Sequence, residues 1–264
     1  KRQYHYVSRP PFTEAEAVRR AIYLAGQTDT PLYIAHMTCR EAIAELQKAK
    51  GTGQRVSGET CTHYLTTTKE VLDNSDFNEA AKFVCSPALR DQEDCEALWQ
   101  ALAGGLLTAV SSDHCGIDVA ELKQAGRDDF TQIPNGSPGA GDRLHMVWTE
   151  GVCTGKLSRQ KFVDVIATQP AKINGIYPRK GTLALGSDAD IVIFDPSYEG
   201  VIRLADNPNG VDYNLYEGHR QSGRVETVLL RGQVVVENAK FVGRYGQGQF
   251  IPASMYASGY ENRN

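Results

Sequence analysis

Two residues that could bind a metal each follow a short apolar segment of the chain. His36 follows residues 31–35, and Asp113 follows residues 106–110 and two serines. Continuously apolar segments between helical stretches are typical of buried strands in a parallel sheet. In a (β/α) barrel the active site lies at the carboxyl ends of such strands, so both side chains would face one opening. A histidine and an aspartate without a helical HExxH motif suit zinc or another divalent metal.

Each of these residues also has a simpler interpretation. Asp113 could cap the following helix, and a lone histidine such as His36 is usually a core residue bonded to backbone. The occurrence of both at equivalent strand ends favours the metal site. Catalytic zinc normally has three protein ligands, however. His63, after the strand ending at Cys61, is a local candidate for a third, although a polar residue at a helix start is its more common role.

The surrounding segments predict an α/β fold. Helical stretches alternate with short apolar runs, and this alternation is typical of parallel βαβ units. The strand-like runs are residues 31–36, 55–61, 82–86 and 106–110. A complete eight-stranded barrel takes roughly 250 residues. We therefore predict that residues 1–180 form the C-terminal half of a (β/α)8 TIM-type barrel.

The composition changes at Gly181. Residues 188–195 are strand-like, and residues 225–237 indicate a hairpin with Arg231 and Gly232 at its turn. We predict a small β-sandwich module at residues 181–245. The polar, Gly- and Tyr-containing tail, residues 246–264, is predicted to pack at a subunit interface.

A long irregular stretch, residues 116–142, follows Asp113, and its length indicates a functional role. Its Gly- and Pro-rich part contains Asn135, but it lacks the lysine and the strand-to-helix setting of a phosphate-binding loop. We interpret it as a loop that shapes a substrate site. Cys85 and Cys115 have no histidine placed to activate them, so they are interpreted as buried structural thiols.

Composition limits the classes of partner. The 264 residues carry a formal net charge of −4, and no basic run indicates nucleic-acid binding. No apolar run approaches a membrane span, and no secretory signal opens the sequence. Six scattered cysteines without CxxC pairs are typical of reduced thiols, which predicts a cytoplasmic location. The sequence opens at Lys1 without an initiator Met, which suggests a part of a longer polypeptide.

Seven motifs, in this order, resemble those of dihydropyrimidinases (D-hydantoinases) of the cyclic amidohydrolase superfamily. They are SRPP at 8–11, IAH at 34–36, GETC at 58–61, CSPALR at 85–90, SDHC at 112–115, IPNG at 133–136 and GSDAD at 186–190. The resemblance extends to about Tyr245. It implies a homotetramer in which each barrel holds two divalent metal ions, usually zinc, bridged by a carbamylated lysine.

Position by position, the resemblance assigns a role to four residues. It implies that His36 binds one metal and that Asp113 binds the other and acts as general base. Ser86 and Asn135 match residues that contact the substrate's cyclic amide, largely through their backbone groups. The family's His-x-His pair, bridging lysine, second histidine ligand and oxyanion-stabilising tyrosine match nothing from Lys1 onward. The 264-residue chain alone is therefore expected to lack most metal ligands and to be inactive.

The implied reaction is the hydrolytic opening of 5,6-dihydropyrimidines and 5-substituted hydantoins to N-carbamoyl amino acids. An allantoinase or a dihydroorotase would share the metal chemistry, although the motifs at Ser86 and Asn135 favour a hydantoinase. A non-catalytic scaffold, like the dihydropyrimidinase-related proteins that lost metal ligands, is the alternative from another class. The presence of both His36 and Asp113 favours catalysis.

Overall fold

The computed structural model describes residues 1–254, which form an α/β arrangement with two sheets. The first sheet contains three parallel strands in the order β1-β2-β3. Their bounds are Leu32–Ile34 (β1), Val56–Cys61 (β2) and Ala109–Ser111 (β3). The first half of β2 pairs with β1 and its second half pairs with β3. All three carboxyl ends therefore lie along one edge of the sheet.

Helices precede, separate and follow these strands. The α-helices of the described residues are Tyr4–Val7 (α1), Pro11–Gln27 (α2), Arg40–Gly51 (α3), Thr62–Thr66 (α4), Phe77–Ala81 (α5), Gln92–Ala103 (α6), Arg143–Val147 (α7), Arg159–Val163 (α8) and Gln169–Ile173 (α9). Helices α7 and α8 continue directly as the π-helical segments Trp148–Val152 and Asp164–Thr168. Short 3-10 helices lie at Lys69–Asp73, Lys123–Gly126, Phe130–Gln132 and Leu204–Asp206. No helix within residues 1–254 combines the length and the apolar character needed to cross a membrane.

Sequence explains why α2 and α3 form where they do. Proline is favoured in the first turn of a helix, and Pro11 occupies that turn of α2, followed by the acidic Glu14. Helix α3 has Glu41 in its first turn and lysines in its last, which complements the helix dipole. Its buried positions recur at helical spacing: Ala42, Ile43, Leu46 and Ala49. This face joins the main core cluster, which also takes up β2 and α6.

Three of the four predicted strands of the first sheet are confirmed, and the prediction of a strand at residues 82–86 is wrong. That segment is a turn followed by irregular backbone. The backbone carbonyls of this segment interact with groups that do not belong to a β-strand. Gly136 N donates to Val84 O at 3.0 Å, and a His5 ring nitrogen lies 2.8 Å from Cys85 O. Pro87, which follows, has no N–H to donate.

The second sheet is antiparallel, with its strands in sequence order. Its strands are Ile191–Val201 (β4), Arg220–Leu230 (β5), Gln233–Glu237 (β6) and Lys240–Phe241 (β7). The predicted hairpin is confirmed, because Arg231 and Gly232 turn between β5 and β6 with φ of 50° and 78°.

The second sheet packs against the π-helical segment after α7, where the ring centroids of Phe194 and Trp148 lie 4.8 Å apart. The described residues form one such sheet, so the second layer of a β-sandwich stays a prediction. Residues 255–264 of the predicted tail lie outside the described residues.

Gly58 lies where β2 meets the core, and it leads to the first testable prediction. A Cβ at this position would stand 2.6 Å from Met37 Sδ and 3.1 Å from Leu46 Cδ2. We expect Gly58→Ala to lower the free energy of unfolding by about 1–3 kcal/mol, because the packed core must shift. The matched control is Gly51→Ala, where no atom lies within 4 Å of the added Cβ. Urea denaturation of both variants tests the idea, and equal stabilities would contradict it.

Candidate active site

His36 and Asp113 follow the carboxyl ends of β1 and β3, as the sequence predicts. Both have left-handed backbone conformations, with φ of 40° at His36 and 44° at Asp113. Positive φ is uncommon outside glycine, and Asn, Asp and His tolerate it best. Such strained positions persist where the surrounding structure holds them, and they cluster at functional sites. His36 is half-buried and Asp113 is exposed, so both side chains remain accessible.

A buried ion pair holds the backbone that follows His36. Arg90 Nη2 lies 3.1 Å from Glu14 Oε2, and the two side chains are only 5% and 10% exposed. Thr38 N donates to Glu14 Oε1 at 2.7 Å, and Arg90 Nε donates to Thr38 Oγ1 at 2.9 Å. Thr38 Oγ1 also donates to Glu14 Oε2, and Arg90 Nη1 donates to Arg9 O. The charges are thus paired and hydrogen-bonded, which buried charges require.

The structure brings Ser86 and Asn135 together although 49 residues separate them. Ser86 Oγ donates to Asn135 Oδ1 at 3.1 Å, and Asn135 Nδ2 donates to Ile133 O at 3.3 Å. Both residues are exposed, so their outer faces can contact a ligand. His36 and Ser86 also line one cavity of about 660 Å³, whose wall includes the Glu14 and Arg90 side chains.

The loop that carries Asn135 runs beside the residues that follow Asp113. Cys115 N donates to Ser137 O at 3.0 Å, and Gly139 N donates to His114 Nδ1 at 3.3 Å. The sequence-predicted residues therefore form a connected series. His36 lines the same cavity as Ser86, and Ser86 forms a hydrogen bond with Asn135. The loop of Asn135 in turn contacts the segment after Asp113.

The end of the same loop is fixed by an unusual carboxylate. Asp142 is 3% exposed and has no cation as a hydrogen-bond partner within the described residues. Instead it accepts hydrogen bonds from the side-chain amides of three asparagines in a later segment, Asn207 (2.8 Å), Asn209 (3.4 Å) and Asn214 (3.2 Å). Burial raises the pKa of Asp142, and these amide donors partly offset that effect.

His63 does not complete a metal site with His36 and Asp113. Its side chain is buried, and within residues 1–254 its Nε2 has no hydrogen-bond partner. Burial, and secondly the nearby His36, lower the pKa of His63 to about 3, so its ring is neutral. No three His, Cys, Asp or Glu side chains of the described residues are placed to share one metal ion.

The interpretation of Cys85 as a structural thiol agrees with its surroundings, since burial raises its pKa to about 11. Cys115 is exposed. Sequence reasoning missed Glu14 and Arg90. The position of Glu14 in the first turn of a helix and the place of Arg90 in the CSPALR motif were visible in the sequence. Their pairing across 76 residues was not.

Comparisons with known proteins give a consistent relationship. The model of the amidohydrolase family matches residues 30–235. D-hydantoinases of Ralstonia pickettii and Rhizobium radiobacter are 48% and 49% identical to the chain, over 96% of its length and 55% of theirs. The crystal structure of dihydropyrimidinase from Brevibacillus agri superposes with a TM-score of 0.94 at 44% identity, covering 97% of this chain and 55% of that one. The chain spans about half the length of the curated relatives it matches.

The buried ion pair gives a second prediction. Glu14→Gln leaves the Arg90 guanidinium buried without a counter-charge, so the free energy of unfolding should fall by about 3 kcal/mol or more. The matched control is Glu16→Gln on the same helix. Glu16 pairs with Arg20 in solvent, with 61% of its side chain exposed, so its loss should cost less than about 1 kcal/mol. Chemical denaturation distinguishes the two, and similar losses would show that the buried pair is not a main restraint.

The ligand count gives a third prediction. Because His36 and Asp113 are the two ligands predicted within the described residues, the 264-residue chain alone should not retain stoichiometric zinc, since catalytic zinc normally needs three protein ligands. Elemental analysis after dialysis against zinc, with His36→Asn as the control, measures this. One tightly held zinc per wild-type chain would show that His63 or another residue completes the site.

Proposed function

The chain belongs to the amidohydrolase family, and we propose that the protein containing it opens cyclic amide rings by hydrolysis. The substrates proposed are 5,6-dihydropyrimidines and 5-substituted hydantoins, and the products are N-carbamoyl amino acids. The relatives named as D-hydantoinases support this class of substrate. The observation that carries the proposal is the position of His36 and Asp113 at two strand ends, beside the bonded pair Ser86 and Asn135.

Members of this family are generally binuclear metal enzymes. An accessible imidazole after β1 and an accessible carboxylate after β3, at the same edge of the sheet, are suitable zinc ligands, so His36 and Asp113 would each hold one of two metal ions. The remaining ligands, including a carbamylated lysine bridge, are proposed from the family resemblance. Bound metals would lower the pKa of water toward neutrality and polarise the ring carbonyl.

The chain's own residues supply proton transfer and orientation. Asp113 accepts the proton released when water attacks the ring carbonyl and delivers it to the leaving ring nitrogen. Ser86 and Asn135 bind the amide of the ring, largely through backbone groups. The hydrogen bond between their side chains fixes the spacing of the two backbone segments. Both residues thereby orient the carbonyl for attack.

The architecture proposed for the whole protein extends what the described residues form. Residues 1–180 would be part of a (β/α)8 barrel, because β1, β2 and β3 are parallel and joined through helices. Residues 181–245 would belong to a separate β module, because β4 to β7 form their own antiparallel sheet. A homotetramer follows from the family resemblance.

Two other functions are less well supported. An allantoinase or a dihydroorotase would use the same metal chemistry, but the relatives reported above are named hydantoinases and dihydropyrimidinase. A scaffold protein without activity has no need of accessible side chains at the strained positions 36 and 113. Catalysis accounts for both observations.

The fourth prediction separates catalysis from a scaffold role. Asparagine tolerates the left-handed conformation at residue 113, so Asp113→Asn keeps the backbone and removes the base. In the native polypeptide that contains residues 1–264, kcat for dihydrouracil should fall by about 10²- to 10⁴-fold with little change in stability. The matched control is Asp195→Asn in β4, which lies in the second sheet. A kcat within twofold of wild type would contradict the assignment of Asp113.

A further inference from the structure

Lys123 is a fully buried cation in the irregular stretch between Asp113 and Asn135. Its side chain has no measurable exposure. Its Nζ donates to three backbone carbonyls, Gly136 O at 2.7 Å, Pro134 O at 3.2 Å and Val84 O at 3.3 Å. An ammonium group has three hydrogens, so its donor capacity matches these acceptors. No acidic side chain pairs with it among the described residues. Burial lowers its pKa to about 8.

The three acceptors flank the two residues assigned to the substrate. Val84 lies two residues before Ser86, and Pro134 and Gly136 lie on either side of Asn135. One ammonium group therefore binds the backbone near Ser86 and the backbone on both sides of Asn135. Burying an unpaired lysine is costly, so its retention here calls for a reason beyond packing.

The geometry of the peptide bond gives that reason. In a planar trans peptide, the N–H points opposite to the C=O. Because Pro134 O accepts from Lys123, the N–H of Asn135 must point away from Lys123. None of the hydrogen bonds within residues 1–254 uses this N–H. The ammonium group thus orients a free backbone donor at an exposed residue.

We propose that Lys123 is a positioning residue, which holds the backbone at Ser86 and Asn135 in the orientation that binds the cyclic amide. This inference rests on the proposed function, since the two segments must contact substrate. A site that recognises an amide by backbone groups needs those groups held to about half an ångström. Lys123 meets this need without touching the substrate, because its acceptors are the peptides next to the binding residues.

Other contacts join the two loops without Lys123. Gly136 N donates to Val84 O at 3.0 Å, and Ser137 Oγ donates to Lys82 O at 2.7 Å. A variant without the ammonium group should therefore keep the loops together but release the peptide planes at residues 134–136. Substrate affinity should suffer more than folding.

The experiment compares Lys123→Met with a matched control, Lys50→Met, in the native polypeptide that contains residues 1–264. Lys50 Nζ also donates to a backbone carbonyl, Leu106 O at 2.8 Å, but at the start of the segment leading to β3. With dihydrouracil as the probe, Lys123→Met should raise KM about 10-fold or more and change kcat less than threefold, with metal content unchanged. Lys50→Met should keep the wild-type KM. Lys123→Gln, which retains an amide donor, should give an intermediate KM.

Hydrogen exchange of the backbone amides is the second readout, and it does not require activity. Exchange at the amides of Val84 and Gly136, which donate to Ala81 O and Val84 O in wild type, should be faster in Lys123→Met than in wild type or Lys50→Met. If Lys123→Met does not fold, Lys123→Gln is measured in its place with the same readouts. A wild-type protein that opens no cyclic amide ring would contradict the proposed function while exchange still tests the positioning. Wild-type KM and exchange in the Lys123 variant, or equal changes in Lys50→Met, would overturn the role of Lys123.

Discussion

The buried ion pair between Glu14 and Arg90 is the contact on which the geometry of the strand ends depends. At the end of β1 the chain turns through a left-handed His36, and Met37 N still donates to Glu59 O of β2 at 2.8 Å. Thr38, two residues later, is bonded by both charged side chains, so α2 and the segment after Ser86 are fixed to the same point. A paired charge in a dry interior is retained because either partner alone would be very unfavourable. Each residue therefore makes the other necessary, and together they hold the strained turn.

Sequence alone predicted the elements whose signals are local. The apolar runs of β1, β2 and β3, the spacing of apolar residues in α3 and the turn between β5 and β6 depend only on neighbouring residues. The run at residues 82–86 has the same composition, yet it is not a strand, because its carbonyls bind Lys123 and Gly136. An apolar run does not reveal which groups will satisfy its backbone. The partners here lie about 40 to 50 residues away.

The site shows the same division between local and distant information. His36 and Asp113 could be named from the sequence because each follows an apolar run, and Ser86 and Asn135 could be named from the family resemblance. Their arrangement could not, since the bond between Ser86 and Asn135 spans 49 residues. Lys123 carried no signal at all, because a lysine in a polar, irregular stretch normally lies in solvent. Long polar side chains buried against backbone are found only when the loops around them are seen together.

The three asparagines that bind Asp142 also determine when this region can reach its final form. They come from residues 207–214, so the loop of Asn135 is anchored by a part of the chain synthesised about 70 residues later. Contacts between residues far apart in sequence close large loops, and they form late and slowly. During synthesis the sheet of β1 to β3 can assemble first, before the asparagines that donate hydrogen bonds to Asp142 have been synthesised. The loop that carries Asn135 would then be the last part of the region to order, after the ribosome has released the segment that anchors it.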